Sequence, residues 1–271
     1  MGTSSESQHQ KDLERIKNFR LLDDEFMSKV FDGEIEATEL ILRIILEDEN
    51  IRVQEVTAQY EIKNLQGRSI RLDIKATDSN NRIFDVEIQR ADKGAIAERA
   101  RFNSSIIDAN QLRKKQVYTE LKDSFVIFFT ENDVLNGNLP IYHIERVIQE
   151  TGKLFNDGEH IIYVNGSYKS DTPLGKLVHD FNCTNANDMY YEKLAERVKY
   201  FKETKKGVET MCKAMELMRD ESLLQGKIYG IIEASRDNGK TDAQIVAYIV
   251  AKYTSLSEKD AQKYIDEYNE V

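Results

Sequence analysis

The stretch "RLDIKATDSNNRIFDVEIQ", residues 71–89, sets Asp73, Asp85 and Glu87 on two strand-like runs and ends on Gln89. Strand side chains alternate between faces. This groups Leu72, Ile74 and Ala76 against Arg71, Asp73 and Lys75, and Phe84, Val86 and Ile88 against Asp85, Glu87 and Gln89. Opposed residues of an antiparallel pair share a face, so the apolar sets meet only when paired residue numbers sum to an even value. A sum of 160 leaves Ser79, Asn80 and Asn81 as a three-residue loop, in which Asn tolerates left-handed backbone. It also brings Asp73 opposite Glu87.

Like charges directly opposed destabilise a sheet. A divalent cation between them removes the repulsion. Mg2+ takes oxygen ligands and is usually held by one or two carboxylates, with waters and substrate phosphates completing its shell. Such a pair is the minimum for metal-assisted phosphodiester hydrolysis. The spacing alone fits equally a solvated hairpin face without chemistry.

Composition limits the alternatives. The 271 residues, 40% hydrophobic and 32% charged, are enough for a sizeable core. The apolar runs "LILRIIL" and "FVIFF" fall well short of the roughly 20 residues of a membrane span. Cys183 and Cys212 are too isolated for a disulfide framework, and "MGTSSESQHQ" lacks the apolar centre of a secretory signal, so a cytoplasmic protein is expected. A net charge of −10 argues against broad electrostatic binding of nucleic acid, so any DNA contact must be local. The one basic stretch follows the acidic hairpin, with Arg90, Lys93, Arg99, Arg101, Arg113, Lys114 and Lys115.

The elements that must hold the hairpin are legible around it. Residues 21–47 read as helical, with Ala37, Leu40, Ile41, Ile44 and Ile45 on one stripe. "VQEVTAQYEI" reads as a strand, residues 93–112 as a helix, and "SFVIFFT" as a strand covered on both faces. "HIIYVNGSY" adds a further strand. Helices and strands alternate, which predicts an α/β fold with a mixed central sheet. From about residue 187 the pattern turns helical to the end, with Thr241 and Gln244 at capping-box spacing and Ser257 positioned to cap a last helix. A helix-turn-helix reader lacks its basic face there, which leaves packing or self-association. The organisation expected is a flexible tail (1–20), a core domain (21–186) and a helical region (187–271).

"LDIKATDSNNRIFDVEIQ" resembles the core of the PD-(D/E)XK nuclease superfamily, and within it the recombination-promoting nuclease and transposase branch, where glutamine replaces the usual lysine. "LLDDEFMSKVF", "ERARFNSSIIDANQL", "ELKDSFVIFF" and "LFNDGEHIIYVNG" resemble, in order, the family's opening element, its Arg-rich helix, the next strand and the closing strand. The resemblance implies a restriction-endonuclease-like core and a metal-dependent DNA endonuclease using Mg2+ or Mn2+. It makes Asp73 and Glu87 the metal ligands, Gln89 the third motif residue and Glu36 the helical acid, with Glu39 the competing choice. Asp85 matches no motif position, and a supporting or exposed role is expected.

Glutamine can only donate and accept hydrogen bonds, so water activation falls mainly on the metal. Arg99 and Arg101 on the following helix are candidates for phosphate contacts. The alternative function is a catalytically weakened nuclease-like fold that binds nucleic acid or protein. The C-terminal helices are expected to make a homo-oligomer. Other chemistries fare poorly: His143, His160 and His179 lack zinc-ligand spacing, and "NGKT" has Ala234 where a phosphate loop needs glycine.

Overall fold

A computed structural model of the chain describes residues 2–64, 67–90 and 94–270. Its centre is a six-stranded mixed sheet in the order β1-β2-β3-β4-β8-β5. The strands are β1 (Val53–Ile62), β2 (Ile70–Asp78), β3 (Ile83–Gln89), β4 (Ser124–Thr130), β5 (Ile141–Ile144) and β8 (Glu159–Asn165), and the short strands β6 (Val147–Ile148) and β7 (Lys153–Leu154) pair separately. The first three strands run antiparallel in sequence, while β4 lies parallel to both β3 and β8. All seven residues of β4 are buried, as a strand covered on both faces requires.

The expected register of the hairpin holds. Ile74 pairs with Val86, Lys75 with Asp85 and Ala76 with Phe84. Asp78 N–H donates to Arg82 O across the three-residue loop, and Asn81 has φ of 60°. The alternation breaks near the site. Gln59 on β1 has φ of 53° and the β1/β2 ladder skips the Gln59–Asp73 position. Beyond this kink Leu72 leaves the side expected for it and packs with Ile62, Ile70, Ala100, Ile107, Val126 and Phe128.

The expected single helix over 21–47 is two, α2 (Asp24–Phe31) and α3 (Ile35–Leu46). Gly33, with φ of +69°, breaks between them, and Glu47 in the left-handed region ends α3. The buried stripe of α3 is Ala37, Thr38, Ile41, Leu42 and Ile45, turned away from the expected Leu40 and Ile44. The expected flexible tail contains helix α1 (Gly2–Asn18), whose Ile16 is buried. Phe19, just after it, stacks on Phe26 at 5.6 Å between ring centroids. A polar sequence with only Leu13 and Ile16 as apolar residues gave little periodic signal for this helix.

The chain divides into two compact units, Met1–Met211 and Cys212–Val271. The helix α5 (Pro173–Asn182) belongs with the sheet as expected, and α6 (Glu192–Glu203) belongs with it too, although it lies beyond the boundary expected at 186. Phe201 meets the edge of Phe26, and Arg197 donates to Val30 O at 3.1 Å. The second unit holds most of α7 (Lys205–Asp237), α8 (Asp242–Lys252) and α9 (Glu258–Glu270) around Ile228, Ile232, Ile245, Ile249, Ala261 and Ile265. Both expected caps form: Thr241 with Gln244 as a capping box, and Ser257 Oγ accepting from Asp260 N–H.

No helix among the described residues is long and apolar enough to cross a membrane.

Candidate active site

The kink at Gln59 and Asp73 shapes the site. Past Ile74 the β2/β3 ladder stops, and the Asp73 carboxylate takes over by accepting from Ile88 N–H at 2.9 Å. Asp73 thus lies beside the backbone of β3 and next to Glu87. The helix α4 (Ala97–Gln111) covers this part of the sheet. From α4, Arg99 pairs with Glu87 Oε2, and Asn103 Nδ2 reaches Asp85 Oδ2 at 3.1 Å and Glu87 Oε1 at 3.4 Å. Gln89 Nε2 donates to Glu87 Oε2, the oxygen that Arg99 holds, at 3.4 Å.

The polar face is dry. Asp73 is 9% exposed and Asp85 and Glu87 are fully buried, which overturns the reading of a solvated hairpin and the exposed role considered for Asp85. Burial pushes the Asp73 carboxyl up to about 6, and Asp24 adds to the shift. Burial, followed by the charge of Asp73, pushes Glu87 up to about 7. Asp85 is held well above the carboxylate range by burial and by Glu87. Its Oδ1 finds no hydrogen-bond partner as an acceptor. In the neutral form the Asp85 carboxyl can donate to Glu87, which favours the Glu87 charge.

Gln89 is packed rather than loose. A Cβ on Gly94 would lie 1.9 Å from Gln89 Oε1, so a larger residue there would have to displace the amide from this position. Arg99 Nη1 donates to Gly94 O at 3.1 Å, tying Gly94 to α4.

The expected helical acids stand elsewhere. Glu36 is exposed and pairs with Lys193, while Glu39 accepts from Val53 N–H at 2.8 Å and pairs with Arg43. Glu39 thereby serves the start of β1. The acid that acts on Asp73 is Asp24, in the first turn of α2, held by Gln59 Nε2 at 2.9 Å. The signal was present in "LLDDEF", since acids at a helix start are favoured by its dipole. Asn103 carried no such signal. Of the cations, Arg99 is committed to Glu87, Arg101 is exposed, and Lys93 lies outside the described residues.

Among the described residues no three His, Cys, Asp or Glu side chains are grouped closely enough to hold a metal ion together. The donors nevertheless fit a hard divalent cation, which needs only one or two protein carboxylates. Asp73 and Glu87 are adjacent, buried, mutually repulsive oxygen donors, and Glu87 already attracts a guanidinium.

A mixed sheet that sets an aspartate and a Glu-x-Gln run side by side on neighbouring strands, roofed by a helix that bonds to the glutamate, defines a restriction-endonuclease-like, nuclease-type domain. Residues 25–172, over half of the chain, match the PD-(D/E)XK nuclease family transposase, and the chain belongs to that family. No curated protein and no solved structure matches it.

Proposed function

We propose that the protein is a metal-dependent DNA endonuclease that hydrolyses phosphodiester bonds, of the recombination-promoting, transposase-like type. The juxtaposition of Asp73 and Glu87 in a buried cluster of acids carries this reading. Asp73 and Glu87 would hold Mg2+ or Mn2+, with Asp24 near enough to bias the charge of Asp73. The bound ion would lower the pKa of a water and polarise the phosphoryl oxygen. Gln89, fixed against Gly94, would orient that water or a phosphate oxygen by hydrogen bonding. Arg99, now on Glu87, would trade toward substrate phosphate as positive charge arrives, and exposed Arg101 would contact a neighbouring phosphate.

The test is cleavage of plasmid and linear duplex DNA with Mg2+ or Mn2+ by wild type, Asp73→Asn and Glu87→Gln. Metal-dependent cleavage lost in both variants supports the proposal; equal cleavage by all three refutes it. A second reading, a weakened nuclease fold acting as a binding module, is favoured by Arg99 occupying Glu87 and by the missing lysine. It predicts DNA or protein binding with no cleavage under any divalent ion.

Self-association would fall to the second unit, whose Leu217 and Leu223 are exposed. Light scattering on the eluting full-length protein tests it, a monomer mass refuting it.

A further inference from the structure

The turn that follows α4 presents cations in an unusual way. Arg113, Lys114 and Lys115 are consecutive and exposed, and none is ion-paired among the described residues. Gln116 N–H donates to Arg113 O at 3.0 Å and Arg113 N–H donates to Gln116 Oε1 at 2.6 Å, which closes the turn. Glu120 is used inside the turn, accepting from Gln116 Nε2 at 2.8 Å and from Val117 N–H at 3.4 Å. Gln111 bonds both backbone groups of Lys122, which pins the base of the segment.

Lys115 has φ of 80°, a conformation that costs a lysine side chain energy and that glycine or asparagine would adopt more cheaply. Next to it stand Val117 and Tyr118, 57% and 89% exposed. In a chain of net charge −10, three unpaired cations on one ordered turn beside a bare tyrosine are an anion-seeking surface.

We propose that this turn is a second DNA contact, which grips the backbone of the duplex flanking the cleaved bond. Arg113, Lys114 and Lys115 take phosphates, and the Tyr118 hydroxyl donates to one of them. The inference rests on the nuclease reading of the Asp73–Glu87 site. The helix sets the spacing. From Arg99 to Gln111 α4 rises about 18 Å at roughly 1.5 Å per residue. That is about five nucleotides of one strand at roughly 3.4 Å each, so the turn meets flanking DNA and not the reacting phosphate.

The experiment titrates full-length protein into a labelled duplex of about 30 base pairs in chelator, across about 50–300 mM salt, and compares wild type with the Arg113→Ala/Lys114→Ala/Lys115→Gly variant. Glycine suits the Lys115 backbone, and a melt confirms that the variant is folded. The slope of log affinity against log salt is expected to flatten by about 2 to 3, since each phosphate contact contributes about 0.9. Affinity at low salt is expected to fall at least about tenfold, and Tyr118→Phe alone to weaken binding about threefold without changing the slope. An unaltered slope in the triple variant overturns the proposal and returns the turn to solvent or to a protein ligand; if the wild type still cleaves DNA, the nuclease reading survives. A wild type that neither binds nor cleaves DNA overturns both.

Discussion

Arg99 on α4 and Gln89 on β3 converge on one atom, Glu87 Oε2, so the helix and the strand compete for the same carboxylate charge. Arg99 is one-third exposed while Glu87 is fully buried, and the guanidinium is the cation bonded to it. Arg99→Met is expected to destabilise the metal-free protein by about 1–3 kcal/mol, less than a fully buried pair because the arginine is partly solvated. It should also shift the acid limb of any cleavage profile to higher pH, since losing the cation holds the Glu87 proton on longer. A denaturant melt and a pH–rate profile measure the two effects. An unchanged profile would mean that Arg99 is only a packing group.

Asp73 and Glu87 have folded-state affinities for protons above those of an unfolded chain, at about 6 and about 7. Their stability contribution is therefore full below about pH 4 and is lost as pH rises through 6 and 7. Asp73→Asn should leave the metal-free melting temperature near wild type at about pH 4.5 and raise it by about 2–4 °C at pH 7.5. Mg2+ or Mn2+ should raise the wild-type value and not the variant's, because a ligand of the folded state stabilises by mass action. Parallel pH curves for the two proteins would remove the claim that these acids repel.

Asn103 binds two acids at once, Asp85 and Glu87. Asn103→Ala should cost about 1–3 kcal/mol by stripping a donor from buried oxygens. Asn103→Asp, which adds another acid, should cost more at pH 8 than at pH 5, and the difference between the two melts is the readout. Equal costs at both pH values would show that Asn103 matters for packing alone.

Gly94 makes room for Gln89 Oε1. Gly94→Ala should leave the fold intact but displace the amide, lowering kcat by about 10- to 100-fold through lost orientation of the reacting groups. In Gln89→Ala the same glycine substitution should cost almost nothing more. A double-mutant cycle on kcat reads the coupling; additive effects would separate the two residues.

Lys202 on α6 donates to the carbonyls of Lys17, Phe19 and Thr184, with its pKa lowered to about 8 by burial. Ending the chain after Met211 should preserve cooperative melting, whereas ending it after Met189 strips α6 from these carbonyls and from Phe26. Circular dichroism melts of both truncations decide this, and a cooperative transition in the shorter chain would place the boundary nearer 187.

Local rules sufficed for the hairpin. Two-residue periodicity and the pairing of apolar faces determined its register from Ile74–Val86 to Thr77–Ile83, but the expected Asp73–Glu87 opposition falls just past that ladder, where Asp73 instead accepts from Ile88 N–H. The apolar run Phe125–Phe129 of β4 and the Thr241–Gln244 cap were legible for the same reason, since each depends on residues close in the chain. Which acid joins the pair was not legible, because Asp24, Glu36 and Glu39 all sit on helical segments with similar patterns. The break at Gly33 and the packing of α2 against β1 and β2 bring Asp24 to the site. Lys193, Val53 and Arg43 claim the other two. The dryness of the acidic face was hidden likewise. Alternation states that two faces exist, but only the helix laid across them decides which one meets water, and α4 covers the face that the polar residues had marked as wet.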